Sequence, residues 1–125
     1  MTLHNISLSE GILKLCINVE QRLLKRVPVL CQHLGKLDIA LSRLVFAWLF
    51  TAFSGLLPPD ELLVLWDFVM KRDSLLPLAD LAVGIILWRE STLLSCDENH
   101  SVEAALKDLS TIKVECLFLY YFGSD

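Results

Sequence analysis

The stretch from Leu44 to Met70 limits this chain more than any other. It reads LVFAWLFTAFSGLLPPDELLVLWDFVM. Leu44 to Phe53 contains neither a charge nor a helix breaker. Its apolar residues fall on every side of a helix: Leu44, Val45, Trp48, Leu49 and Ala52 on one face, Phe46, Phe50 and Phe53 on the other. A helix that is apolar all round is expected to be buried all round. Ser42 is placed to cap its start, and Gly55 to take the left-handed conformation just past its end. Pro58 and Pro59 forbid a continuous helix, yet Pro59 suits a first helical position, where the N–H has no intrahelical use. Asp60 and Glu61 then put negative charge in the first turn, where the helix dipole favours it. Leu62, Leu63, Trp66, Val69 and Met70 define the apolar stripe of this second helix, widened by Leu65 and Phe68. The expectation is two helices and a corner, with Trp48 and Trp66 both inside.

A membrane span is the competing reading. Leu44 to Pro59 is sixteen residues without charge. A span needs about 20 predominantly apolar residues. Arg43 closes one end of the run, and a double proline followed by Asp60 closes the other, so no transmembrane span is expected.

The flanking sequence is also helical. Ser7-Leu8-Ser9-Glu10 has the form of a capping box and opens a helix that runs to about Arg26. Ile12, Leu15, Cys16, Val19 and Leu23 are its buried stripe, and Pro28 ends it. Val29 to Leu34 forms a short helix closed by Gly35. His33 on this helix is expected to bond a nearby backbone group, since no second histidine or carboxylate is patterned with it. After a polar corner at 71–74, a helix spans about Leu75 to Arg89, with Pro77 in its first turn. Leu78, Leu81, Ala82, Ile85 and Trp88 form its stripe, and Gly84 allows close approach of another helix. Ser95 to Ser101 reads as a loop and Val102 to Leu109 as a short helix. A last helix, capped by Ser110 or Thr111 and ended by Gly123, turns Val114, Leu117, Phe118 and Tyr121 inward. No strand pattern and no fixed-period repeat appears. The fold class is all-α: a compact orthogonal array of six or seven helices.

Composition bears on function. The 125 residues are 54% hydrophobic and 21% charged, against roughly 45–50% and 25% in an ordinary globular chain. Such a surplus is expected where another lobe, a partner or a membrane completes the surface. A net charge of −4, with no basic stripe, argues against nucleic acid. Cys16, Cys31, Cys96 and Cys116 lack paired metal-ligand spacing, and Cys16 and Cys116 lie among apolar neighbours, as small core residues do. The start of the chain lacks a basic region followed by a secretory apolar run, which points to the cytoplasm.

Chemistry-bearing patterns are missing. There is no P-loop and no G-x-S-x-G. His4, His33 and His100 are far apart, and the Asp97, Glu98 and His100 cluster reads as a solvated loop rather than a metal site. Asp67, between Trp66 and Phe68, is expected to pair with Lys71 four residues on if exposed, or to bond a neighbouring helix end if buried. No catalytic, cofactor-binding or metal-ligating residue is assigned.

Trp48-x4-Phe53, then Leu57-Pro58, then Trp66-Asp67, in this helical setting, resembles the C-terminal half of TBC domains, the GTPase-activating domains of Rab proteins. Pro28-x-Leu30-x2-His33-Leu34 is similar to the short helix before it in that family, and Leu75-Leu76 with the helix Leu78 to Leu87 to the element after it. The likeness covers roughly residues 10 to 95. It implies an all-α fold and a structural signature of Trp48, Phe53, Pro58, Trp66 and Asp67. The family activates GTP hydrolysis with an arginine from Ile-x-x-Asp-x-x-Arg and a glutamine from Tyr-x-Gln, both in the N-terminal half. This chain contains neither: Tyr120 and Tyr121 precede Phe122 and Gly123, and Arg43 and Arg72 each follow an aspartate by five residues. An arginine finger supplies about 10³–10⁵ of the rate. The resemblance therefore implies a single helical unit over 1–125 that lacks the catalytic half. Its implied partners are a Rab-type GTPase and the N-terminal TBC lobe. It would brace that lobe, offer surface to the GTPase, and be inert alone. A helical protein-interaction module with no GTPase role is the alternative.

Overall fold

The structure, a computed structural model, describes residues 8–107, 109 and 111–122 of the backbone and slightly fewer side chains. The proposed capping box at Ser7 to Glu10, the cap at Ser110 and the stop at Gly123 lie outside the described side chains, as does His4. Eight helices and no strand occur among the described residues. They are α1 (Leu8–Arg26), α2 (Pro28–Lys36), α3 (Leu41–Phe50), α4 (Pro59–Arg72), α5 (Leu76–Trp88), α6 (Glu90–Leu94), α7 (Asn99–Lys107) and α8 (Val114–Phe122). The count exceeds six or seven because a turn at Arg89 splits off the five-residue α6. The loop expected over 95–101 also shortens, since α7 already begins at Asn99.

The array is built around α5, which packs against α1, α3, α4, α6 and α8. Every residue of α5 from Pro77 to Ile86 except Asp80 is buried. Burial on all sides, expected of α3, therefore belongs to α5. α3 buries only Val45, Trp48 and Leu49. Its neighbours α1 and α5 cover one side, and Phe50 remains 56% exposed, stacked on Phe46 with ring centroids 5.8 Å apart.

α1 follows its expected stripe: Ile12, Cys16, Val19 and Leu23 are buried and Leu15 is half-buried. Asp80 interrupts the apolar surface of α5 to meet α1 and α4. Its carboxylate accepts from Arg22 at 2.8 Å, and Arg72 stands 3.9 Å from its other oxygen.

Three helices end alike, and not on glycine. At the end of α2, Ile39 N–H donates to Leu34 O and Asp38 N–H to Gly35 O. At the end of α3, Phe53 N–H donates to Trp48 O and Ala52 N–H to Leu49 O. At the end of α4, Ser74 N–H donates to Val69 O and Asp73 N–H to Met70 O. Each pair of bonds is a Schellman closure, which requires a left-handed residue. Asp38 (φ 60°), Ala52 (φ 51°) and Asp73 (φ 45°) supply it. Gly35, expected as a stop, lies inside α2. Gly55 does adopt φ 82°, but in the corner five residues beyond α3. Ser42 is not the cap of α3: the helix starts one residue earlier, with Ala40 at its N-cap and no side-chain cap bond.

Candidate functional site

The corner between α3 and α4 holds the residues singled out in the sequence. Phe53 is fully buried and Trp48 is 4% exposed; their rings lie 5.9 Å apart, tilted by 37°. Phe53 directly follows Ala52 and is itself left-handed at φ 63°. A bulky residue in that region is a strained outlier. Burial of its ring against Trp48 and the 2.9 Å bond from its N–H to Trp48 O hold it there. Beyond these two left-handed residues the corner carries Leu57, also buried, and Pro58 to the start of α4. Pro59 is the first helical residue, with Asp60 and Glu61 in the first turn, as expected.

The face of α4 differs from the expected stripe. Glu61, Leu65 and Val69 are buried, while Leu63 is 72%, Met70 69% and Trp66 36% exposed. Trp66 is therefore not inside. α4 has apolar residues on most of its circumference, so periodicity alone leaves its rotation open. A polar contact fixes it: Glu61 Oε1 accepts the backbone N–H of Val114 at 2.8 Å in a buried bond. Glu61 thereby caps the first turn of α8 from another helix, and Lys113 Nζ lies 3.6 Å from its other oxygen. Phe68 reinforces the same junction, edge-on to Phe118 at 4.7 Å. With α8 turned by Val114, Leu117 and Phe118, Cys116 points outward and is exposed, contrary to its expected core position.

The five signature residues therefore do not converge on a reaction centre. Trp48 and Phe53 are packed together, Pro58 is the N-cap of α4, and Trp66 and Asp67 lie on its outer face. Asp67 pairs with Lys71 at 3.0 Å with both side chains exposed, which is worth little in water. His33 bonds the carbonyl of Cys96 at 2.7 Å and so ties α2 to the segment after α6. His100, in the first turn of α7 rather than in a loop, meets Glu98 at 3.0 Å with both side chains exposed. Burial first, and Glu20 second, push the Cys16 and Cys31 thiols up. Among the described residues, no three His, Cys, Asp or Glu side chains gather where they could hold a metal ion. No described helix is long and apolar enough to cross a membrane.

The family model for the Rab-GTPase-TBC domain matches residues 2–94. The chain belongs to the TBC family. TBC1 domain family member 19 of Homo sapiens is 40% identical over 113 residues, which is 90% of this chain and 22% of that protein. A small G protein signaling modulator 3 homolog of Xenopus laevis is 29% identical over 98 residues, covering 74% of this chain and 13% of that one. The chain thus spans under a quarter of the length of these relatives. No solved structure matches it. Within this TBC sequence, Trp48, Phe53 and Pro58 shape the corner. The residues that sequence reasoning passed over are Glu61, Arg22 and Asp80, which join helices distant in the chain. Glu61 gave no sign of this, since a first-turn acid already has a local explanation.

Proposed function

We infer that this chain is the C-terminal portion of a Rab GTPase-activating TBC domain. It braces the catalytic half and contributes surface to the GTPase, and it does not activate hydrolysis by itself. One observation carries this reading: a TBC match over residues 2–94 coincides with a sequence that has neither Ile-x-x-Asp-x-x-Arg nor Tyr-x-Gln. Without an arginine and a glutamine to meet the γ-phosphate, the transition-state charge has no partner. Residues 1–125 act as one helical unit in this reading, and its setting is cytoplasmic. The partners are a Rab-type GTPase, engaged by the assembled protein, and the N-terminal TBC lobe. No cofactor, nucleic acid or metal is assigned.

GTP hydrolysis by a panel of Rab proteins tests it, with this chain alone and then with the N-terminal half of a TBC domain added. Stimulation that requires both pieces is expected. Stimulation by the chain alone overturns the claim that it is inert. No stimulation by either mixture favours a helical interaction module, a reading to which the exposed Leu63 and Met70 on α4 lend support.

A further inference from the structure

Beyond Arg43, α3 carries apolar residues alone, on every side. Val45, Trp48 and Leu49 are buried, and α1 and α5 are its main neighbours. Ala47 and Phe50 are exposed, and Phe46, stacked on Phe50, is only half-buried. A helix that is apolar all round has no side made for water, so this one is unfinished.

α1 repeats the pattern next to it. Its buried stripe is flanked by a second one, Leu13, Ile17 and Leu24, spaced i, i+4, i+11 and so in line along the helix. Each of the three is more than half exposed. A groove of about 350 Å³ between the two helices is walled by Leu13, Ile17 and Phe46, which makes the two bare faces neighbours. Glu20 and Arg43 also line it, one charge of each sign, so it favours neither a basic nor an acidic partner.

We propose that this face of α1 and α3 seats the N-terminal TBC lobe, an inference that rests on the C-terminal-lobe reading above and gives the brace its surface. Two observations select this occupant. The first is chain direction. The TBC match begins at residue 2, just ahead of α1, and in that reading the half with the arginine and the glutamine comes before it. Elements consecutive in sequence are usually adjacent in space, so the last helices of that half arrive beside α1. Leu13 stands in the second turn of α1, whereas the exposed Leu63, Trp66 and Met70 belong to α4, three helices later. The second is the character of the face. It is aromatic at Phe46 and Phe50, aliphatic on α1 and balanced in charge, as a domain core cut in two would be.

The test co-expresses the full chain with a tagged N-terminal half of a TBC domain that carries both catalytic motifs. Hydroxyl-radical footprinting compares the isolated complex with the chain alone. Leu13, Ile17 and Phe50 should lose most of their labelling, and Leu63 and Met70 should keep theirs. Ile17→Asp and Phe50→Asp should each weaken association about tenfold or more, since each sets a charge inside an apolar contact. Leu63→Asp should change it about twofold or less. Ile17 and Phe50 are more than half exposed, so the urea midpoints of their variants should stay near that of the parent. If a substituted chain does not fold, the footprint of the unsubstituted complex decides alone.

A complex that shields Leu63 and Met70 but leaves Leu13 and Phe50 labelled overturns the proposal. If that complex stimulates GTP hydrolysis, the C-terminal-lobe reading stands without it. No complex and no stimulation overturn both together. Dimerisation of the chain alone, abolished by Phe50→Asp and undiminished by the N-terminal half, assigns the face to a second copy and also overturns the proposal.

Discussion

Replacing Glu61 by alanine tests the junction that sets the rotation of α4. The carboxylate is about 10% exposed, and one oxygen receives the Val114 N–H at 2.8 Å. A hydrogen bond to a charged group contributes about 1.5–3 kcal/mol, and an unsatisfied buried donor costs about 1–3 kcal/mol. These describe the same bond and are not summed. The negative charge at a helix start adds about 0.3–1 kcal/mol. Glu61→Ala should therefore destabilise the chain by about 2–3 kcal/mol in urea unfolding. Glu61→Gln keeps an acceptor oxygen without the charge and should cost about 1 kcal/mol. Lys113 is 64% exposed, so Lys113→Ala should change stability by about 0.5 kcal/mol or less. Amide exchange should localise the damage to the first turn of α8 before any global loss. A loss under about 0.5 kcal/mol for Glu61→Ala, or an equal loss for Glu61→Gln, would show that this bond does not hold α4 against α8.

Ala52 carries a left-handed backbone that costs a non-glycine residue about 1–2 kcal/mol. Ala52→Gly should therefore raise stability by about 0.5–1 kcal/mol, net of the entropy glycine adds to the unfolded chain, as read from the urea midpoint. The rotation of α4 predicts that Leu65→Ala costs about 2–5 kcal/mol and Leu63→Ala about 0.5 kcal/mol or less; equal losses by calorimetry would contradict it. Asp80→Asn should cost about 1–3 kcal/mol, because Arg22 and Arg72 then share a neutral partner, and added salt should narrow the difference from the parent chain. In the folded chain, a thiol reagent near pH 8 should label exposed Cys116 well before Cys16. The Cys16 thiol is raised by burial and then by Glu20, so less of it is thiolate at a given pH. Its rate should keep climbing above the range of an ordinary cysteine.

Local rules sufficed where one residue type dictates one backbone state. Pro59 suits a first helical position and begins α4, and Pro28 both ends α1 and begins α2. His33, with no second histidine or carboxylate patterned with it, bonds a backbone carbonyl as expected. The rotation of α4 was hidden because Leu62, Leu63, Leu65, Trp66, Val69 and Met70 surround most of the helix, and burial followed a long-range bond from Glu61. α5 was read as one stripe because Asp80 looks like a polar face, whereas it is a single anchor for Arg22 and Arg72. The polar corner at 71–74 does end α4, but the stops of α2 and α3 fall away from Gly35 and Gly55, because glycine is only the common left-handed residue. Aspartate at 38 and 73 carries a weaker version of that signal, and Ala52 carries none. The corner at Trp48 and Phe53 was legible in its residues but not in its strain.

The full enclosure of α5 also bears on how the chain is made. α1, α3 and α4 are all synthesised before the helix against which they close. Until residue 88 has left the ribosome, α1, α3 and α4 lack one of the helices that they pack against in the finished protein. Translation past that point converts a row of sticky, half-assembled helices into a packed body. A message truncated within α5 would yield a product with the nascent-chain hazards of aggregation and chaperone capture.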